Sequence, residues 1–246
     1  MTLVLYTARY GTADPPNPRV FGGFDGCRRV LFTDRADLEA PPGVELVLDP
    51  LDGLDPARAS RRAKLMPHRY FPEAEWSLWL DNKSRLLRPP EAVLAWARAQ
   101  ADAAFYAFPH FRRDCVYQEI RTCWENGLDD HRVLRERMRT YRAEGMPEHA
   151  GLIEGHFLLR RHGDAALVRF GERWFEHVLR FSRRDQVSFP YLAWKLGLDY
   201  ALLPAEAWRE TVEFTVFDRA ARKADFPRRH LLYQRARRLY HRIRGR

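Results

Sequence analysis

A carboxylate, an amide and an ammonium group directly follow one apolar run in the chain. The run Trp76–Leu80, WSLWL, is rich in aromatic and branched residues and is short enough for a buried strand. Asp81, Asn82 and Lys83 come next. Ligands of open α/β sheets bind in the crevice at the carboxyl ends of the strands. Asp81 and Lys83 are therefore candidates for ligand binding, and an ordinary polar turn is the alternative.

Other residues with acid, base or amide side chains lie near predicted strand ends and helix starts. They are Asp34, His110, Glu154, His156, Asp185 and Gln186, and a basic segment upstream of the apolar run adds Lys64 and His68. Glu154 and His156 alternate with apolar neighbours, so one face of their strand is predicted to enter the cleft. Structural roles stay open for these residues, including a turn for Asp34 and a helix cap for Asp185.

The composition limits the class of protein. The chain has 246 residues, of which 46% are hydrophobic, so it can bury a large core. No apolar run approaches the ~20 residues that a membrane-spanning helix needs. The start of the chain lacks the basic region of a signal peptide, so we expect a cytoplasmic protein. Cys27, Cys115 and Cys123 lack metal-site spacing and are expected to be reduced thiols.

Short apolar runs alternate with stretches of helical periodicity. The predicted strands cover residues 3–7, 28–32, 44–48, 76–80, 103–108, 151–160 and 200–203. The predicted helices cover residues 55–67, a segment that begins at residue 89, residues 115–124, 130–142 and 164–179, and a segment that ends at Gly197. This alternation favours an α/β fold with a mostly parallel central sheet flanked by helices. The helix over residues 130–142 is charged nearly all round, so we expect it to be exposed.

The positive charge is concentrated at the C-terminus. The net charge is +9, and residues 219–246 hold eleven Lys/Arg and one acidic residue, so the remainder is nearly neutral. We predict a domain of residues 1–210 and a basic amphipathic tail of residues 211–246, with a helix over 228–244. Such helices bind anionic membrane surfaces, and packing on the domain or on a partner subunit is the alternative. Because no nucleic-acid motif is present, we expect no specific nucleic-acid partner.

Four sequence motifs occur in an order that a known family shares. They are KLMPHRYFPEAEWSLWLDNKSRL from Lys64, HFRRDCVYQE from His110, GLIEGHFLLRRH from Gly151 and RDQVSF from Arg184. A lysine, a Pro-His pair, Phe-Pro and a strand ending in Trp-hydrophobic-Asp-x-Lys make the first motif specific. The chain thus resembles the TOD1/MUCI70 glycosyltransferase-like family from about residue 3 to about residue 204. The resemblance implies a GT-A fold, the Rossmann-like α/β fold that binds nucleotide sugars.

The same resemblance implies an activity and a set of roles. The protein would be a hexosyltransferase that takes its sugar from a nucleotide-diphosphate sugar, with UDP as the first choice of nucleotide. The acceptor would be a cell-surface polysaccharide or glycolipid, met at the inner face of the membrane, and the layout is similar to that of retaining enzymes. Catalysis is assigned to Asp185, Gln186 and Glu154, and donor binding to Lys64, His68, Asp81, Lys83, Asp34, His110 and His156. A non-catalytic GT-A-fold protein that binds a nucleotide or glycan is the alternative.

The resemblance leaves the cofactor open. GT-A enzymes usually carry Asp-x-Asp at this strand end to hold Mn²⁺ or Mg²⁺, since carboxylate oxygens suit these ions. Here Lys83 stands in place of the second aspartate. Either Lys83 itself contacts the diphosphate, or Asp81 holds a divalent metal together with a histidine from elsewhere.

Overall fold

The computed structural model describes residues 2–11, 17–214 and 236. The strands of these residues are β1 (Leu3–Arg9), β2 (Arg28–Thr33), β3 (Glu45–Leu48), β4 (Trp76–Leu80), β5 (Ser84–Leu86), β6 (Phe105–Pro109), β7 (Ile153–Arg161), β8 (Ala201–Leu202) and β9 (Val212–Phe214). The helices are α1 (Pro56–Leu65), α2 (Pro90–Gln100), α3 (Val116–Glu125), α4 (His131–Ala143), α5 (Ala165–Arg180), α6 (Asp185–Leu196) and α7 (Trp208–Thr211).

The central sheet has seven strands in the order β3-β2-β1-β4-β7-β6-β8. Strand β1 pairs in parallel with β2 and β4, β2 with β3, and β6 with β8. Strand β7 is antiparallel to both of its neighbours, β4 and β6. The predicted α/β fold with a mostly parallel sheet is therefore confirmed. A short antiparallel pair of β5 and β9, which the sequence patterns did not predict, forms a second sheet.

Strand β4 lies in the middle of the sheet, and all five of its residues are buried. Leu78 and Leu80 pack with Val93 of α2 on one face. Trp79 packs on the other face, in the cluster that includes Leu65 of α1. Helices cover both faces of the sheet, as is usual for parallel strands. The segment therefore leaves the core only after Leu80, and its polar residues lie at the edge of the sheet.

Local signals set the ends of the helices that carry the site. Asp55 caps α1, where its Oδ1 accepts from Ala57 N at 3.1 Å and from Arg58 N at 3.2 Å. Helix α6 ends at Gly197, which adopts the left-handed conformation with a φ of 61°. Arg184 occupies the cap position of α6 and Asp185 is its first helical residue. The interpretation of Asp185 as a helix cap is therefore wrong.

The prediction that the helix over residues 130–142 is exposed holds for most of its residues but is wrong for one face. Leu134, Arg137 and Tyr141 of α4 are buried. The Arg137 guanidinium lies 3.6 Å from the centroid of the Phe181 ring. A long arginine side chain covers apolar surface with its stem, so a charged residue can lie on the buried face of a helix. The charge pattern of the sequence therefore did not show this narrow buried stripe.

The described fold continues past residue 210, the predicted end of the domain, because β9 pairs with β5. The division into a domain and a tail stays a prediction, and the helix predicted over residues 228–244 lies outside the described residues apart from Ala236. Within the described residues, every helix is too short or too polar to span a bilayer. Cys27, Cys115 and Cys123 are free thiols, as predicted.

Candidate active site

The carboxyl end of β4 and the amino end of β7 meet at one edge of the sheet. Asp81 N donates to His156 O at 2.9 Å. Because β7 runs antiparallel to β4, its first residues lie beside the last residues of β4. Glu154 and His156 therefore reach the edge where β4 presents Asp81, and they do so from a neighbouring strand.

Residues 81–84 form a turn. Ser84 N donates to Asp81 O at 2.8 Å, and Lys83 N donates to Asp81 Oδ1 at 3.1 Å. Asn82 is buried, and its backbone carbonyl accepts from Asn17 Nδ2 at 2.7 Å. Asp81 and Lys83 stay partly exposed. The local structure is thus the polar turn, and any binding role depends on the groups around it.

Cationic groups surround the Asp81 carboxylate. Burial opposes its ionisation, but His156, Lys83 and Lys64 hold its pKa at about 2, below the ordinary 3.8. Arg61 of α1 acts in the same direction. Asp81 is therefore ionised at neutral pH, and the turn presents a single carboxylate among several positive charges.

A buried ion pair joins α1 to α6. Lys64 Nζ donates to Asp185 Oδ2, and the two residues are 2% and 3% exposed. Arg61 Nε lies 3.4 Å from the same oxygen, and the Trp79 ring centroid lies 5.6 Å from the Lys64 ammonium. Burial raises the pKa of Asp185, but Lys64, Arg61 and Arg184 outweigh it and hold that pKa far below its usual range. Asp185 is therefore ionised, and its carboxylate is paired with cationic side chains of the protein.

Gly155 lets the backbone of β7 approach this ion pair. A Cβ atom on Gly155 would lie 3.0 Å from Lys64 Nζ, 3.6 Å from Asp185 Oδ2 and 3.7 Å from Gln186 Cγ. The first distance is tighter than ordinary contact, so any side chain at position 155 would push on the ammonium. Glycine inside a strand often marks such a close approach, and this signal was present in the sequence.

Glu154 holds two histidines on the other side of β7. His156 Nδ1 lies 2.6 Å from Glu154 Oε2, and His110 Nε2 lies 3.6 Å from Glu154 Oε1. His110 Nδ1 accepts from the backbone N–H groups of Arg112 and Arg113. A carboxylate at Nδ1 favours the tautomer that carries its proton there, so His156 Nε2 is the nitrogen that can accept a proton.

Two arginines extend the polar contacts on either side of the site. Arg113 Nε donates to Glu119 Oε2 at 2.8 Å, beside His110. Arg184 Nη2 donates to Gln186 Oε1 at 3.3 Å. Gln186 Nε2 in turn donates to Ile153 O at 3.0 Å, which fixes the start of β7. Gln186 is 8% exposed, and its amide is occupied by these two contacts.

His68 and Asp34 lie away from this cluster. His68 follows α1 in the 3-10 helix Pro67–Arg69, and its Nε2 lies 3.8 Å from Glu172 Oε1. With His162 it lines a small cavity near the start of β4, at the opposite edge from Asp81. Asp34 lies at the edge that holds Asp81 but two strands away, and its carboxylate accepts from Gly11 N at 2.9 and 3.1 Å. The structure brings together Lys64, Asp81, Lys83, His110, Glu154, His156, Asp185 and Gln186.

The residues around Asp81 do not fit a Mn²⁺ or Mg²⁺ site. These ions need several oxygen ligands, yet the charged groups nearest to Asp81 are cations. Asp185 is engaged by Lys64 and Arg61, and Glu154 by two histidines. Among residues 2–11 and 17–214, no three His, Cys, Asp or Glu side chains are grouped so that they could hold a metal ion.

An open groove of about 1010 Å³ lies between residues of β5, α7 and β9 and the segment that follows β6. The Phe111 side chain lines it and is 46% exposed, with its ring centroid 5.0 Å from that of Trp208. Arg85, Arg112 and Arg209 line the same groove. In the sequence, Arg85 closely follows the turn at residues 81–84 and Phe111 directly follows His110, so the groove is lined by residues that adjoin members of the cluster along the chain.

Two known proteins are similar in sequence to this chain. The chain is 32% identical over 143 residues to the probable hexosyltransferase MUCI70 of Arabidopsis thaliana, covering 55% of this chain and 24% of the relative. It is 26% identical over 149 residues to the alkaline ceramidase TOD1 of the same plant, covering 56% of this chain and 32% of the relative. The chain therefore spans about a quarter to a third of these relatives.

A solved structure and a family model complete the comparison. The bifunctional glycosyltransferase WbbM superposes with a TM-score of 0.50 at 9% identity, over 83% of this chain and 39% of WbbM, which shows a shared fold. The model of the TOD1/MUCI70 glycosyltransferase-like domain matches residues 46–224, which include β4, β7, α1, α6 and every member of the cluster. The chain therefore belongs to the TOD1/MUCI70 glycosyltransferase-like family.

Proposed function

We propose that this protein is a hexosyltransferase that uses a nucleotide-diphosphate sugar, with UDP as the nucleotide. The observation that carries the proposal is the cluster of Asp81, Lys83, Lys64 and His156 at the carboxyl edge of the sheet. Sugar transfer leaves a negative nucleotide diphosphate, and fixed positive charge stabilises that leaving group. The name of the relative MUCI70 supports a hexosyltransferase. The positive charge of the cluster, which suits a diphosphate, favours that activity over the ceramidase activity in the name of TOD1.

The donor diphosphate would bind over the turn at residues 81–84. Lys83 is partly exposed and would meet it first, while the buried Lys64 adds charge from within. Asp34, at the same edge, would face the nucleoside. Asp185 and Gln186 are positioning residues in this proposal, because their contacts hold Lys64 and the start of β7.

Proton transfer would fall to the pair of Glu154 and His156. In the reaction, an acceptor hydroxyl oxygen bonds to the anomeric carbon, and the bond from that carbon to the diphosphate breaks. The hydroxyl proton passes to His156 Nε2, while Glu154 orients the ring through Nδ1. His110 stabilises Glu154 from the other side.

The acceptor would bind in the groove beside His110. An exposed aromatic ring such as Phe111 offers an apolar surface for a sugar ring, and the groove is large enough for several sugar units. A cell-surface polysaccharide or glycolipid acceptor fits such a groove. The cytoplasmic location, and membrane binding through residues 211–246, stay predictions.

The decisive experiment is a donor-hydrolysis screen across nucleotide sugars with the purified full chain. We expect turnover with one UDP-sugar, and a loss of turnover in Lys83→Ala and His156→Gln. Lys195→Ala is the matched control, because Lys195 lies at the far end of α6 and pairs with Glu144. Binding of a nucleotide sugar without any turnover would leave the alternative, a nucleotide-binding protein. A screen with neither binding nor turnover would overturn the proposal.

A further inference from the structure

The charge balance around Asp81 is the opposite of that in a metal site. Lys64, Lys83 and Arg61 supply three cations, whereas Asp81 and Asp185 supply two carboxylates. A divalent ion is attracted by an excess of carboxylate, and here it would be repelled. A diphosphate is attracted by the same excess of positive charge.

The ammonium of Lys64 is enclosed in a fitted pocket. It contacts the Asp185 carboxylate, lies 5.6 Å from the centroid of the Trp79 ring, and faces the β7 backbone so closely that a Cβ atom on Gly155 would lie 3.0 Å from Nζ. Burying a lysine is costly unless the ammonium is paired. The chain holds this lysine in place with one carboxylate, one aromatic ring and one glycine.

We propose that this site binds the donor diphosphate without a divalent metal ion, and that Lys64 and Lys83 together supply the charge that the ion supplies in an Asp-x-Asp site. The inference rests on the proposed function. Lys83 lies on the partly exposed turn and would contact the diphosphate directly. Lys64 would act from within, at the junction of Asp81 and Asp185, and Asp81 would orient Lys83 through the turn.

Titration of UDP into the full chain tests this inference, first with EDTA and then with excess Mn²⁺ or Mg²⁺. We expect the same dissociation constant within about twofold in all three conditions. In Lys83→Met the affinity should fall roughly ten- to hundredfold in each condition, because a charge-assisted contact is lost. Lys195→Met should bind like the wild type. Since Lys64→Met removes a buried partner and can fail to fold, Lys83→Met is the variant that decides.

A second measurement does not depend on the nucleotide. Electron paramagnetic resonance of Mn²⁺ titrated into the protein alone, and into Asp81→Asn, should show only free Mn²⁺ in both. A bound Mn²⁺ signal that disappears in Asp81→Asn would overturn the inference and leave the transferase function standing. An increase of tenfold or more in UDP affinity on adding Mn²⁺ would overturn it as well. Absence of UDP binding in every condition would overturn both the inference and the choice of donor.

Discussion

Removing charges from the Lys64–Asp185 pair should separate the stability of the fold from the function of the site. Both residues are buried. Two unit charges ~4 Å apart attract by ~4 kcal/mol at an effective dielectric constant of ~20. Breaking a buried pair costs ~3–5 kcal/mol, because the remaining charge stays buried without its partner. We therefore expect Asp185→Asn to lower the free energy of unfolding by ~3–5 kcal/mol. Lys64→Met should cost less, because Arg61 still faces the Asp185 carboxylate.

The double variant, Lys64→Met with Asp185→Asn, tests whether the two charges act as a coupled pair. With both charges removed, the loss of stability should be smaller than the sum of the single losses, with a coupling energy of about 2 kcal/mol or more. UDP affinity should nevertheless stay low, because the Lys64 ammonium is gone. Urea denaturation of the four proteins at pH 7, alongside UDP titration, measures both quantities. Additive losses of stability would refute the coupled pair, and wild-type UDP affinity in the double variant would refute the role of Lys64 in donor binding.

Three further changes test other parts of the site. Gly155→Ala fits the backbone, since Gly155 has no positive φ, but its Cβ would lie 3.0 Å from Lys64 Nζ and shift the ammonium; both the free energy of unfolding and UDP affinity should fall, the affinity at least about tenfold, and unchanged affinity would contradict the close fit. The pKa of Asp81 is about 2, against an ordinary value of 3.8, so its carboxylate contributes about 2 kcal/mol to the free energy of unfolding above pH 4, and this contribution is lost as the pH falls towards 2. The free energy of unfolding of Asp81→Asn should therefore fall less steeply between pH 4 and pH 2 than that of the wild type. Equal slopes for the two proteins would contradict this contribution. Phe111→Ala should raise the KM for the acceptor and leave donor hydrolysis unchanged, whereas an equal loss in both would remove the groove from acceptor binding.

The strands and helices were predictable wherever one local pattern decided them. The run Trp76–Leu80 was predicted with its observed bounds, because its apolar residues end abruptly at a carboxylate. The direction of β7 was not predictable, since a buried strand has the same composition whether it runs parallel or antiparallel. The pairing of β5 with β9 joins residues more than a hundred positions apart and leaves no local signal in either strand.

The members of the site were more predictable than their contacts. Lys64 and Asp185 were each candidates, but only the packing of α1 against α6 shows that they form one buried pair. Arg61 was within reach of sequence reasoning, because it lies one helical turn before Lys64 and so shares its face. His68 belongs to the same motif as Lys64, yet the end of α1 carries it to the other edge of the sheet.

Strand β7 keeps the two kinds of chemistry in this site apart. Side chains alternate along a strand, so Glu154 pairs with His156, while Gly155 faces the Lys64 ammonium between them. If position 155 carried a side chain, its Cβ would push that ammonium away from the strand. If Glu154 faced Lys64, it would add a second carboxylate beside Asp185 and remove the excess of positive charge on which the proposed diphosphate site depends. Asp81 interacts electrostatically with both groups, since both His156 and Lys64 lower the pKa of its carboxylate. A donor bound over the turn would therefore have its leaving group on the lysine side and its anomeric carbon towards the Glu154–His156 pair.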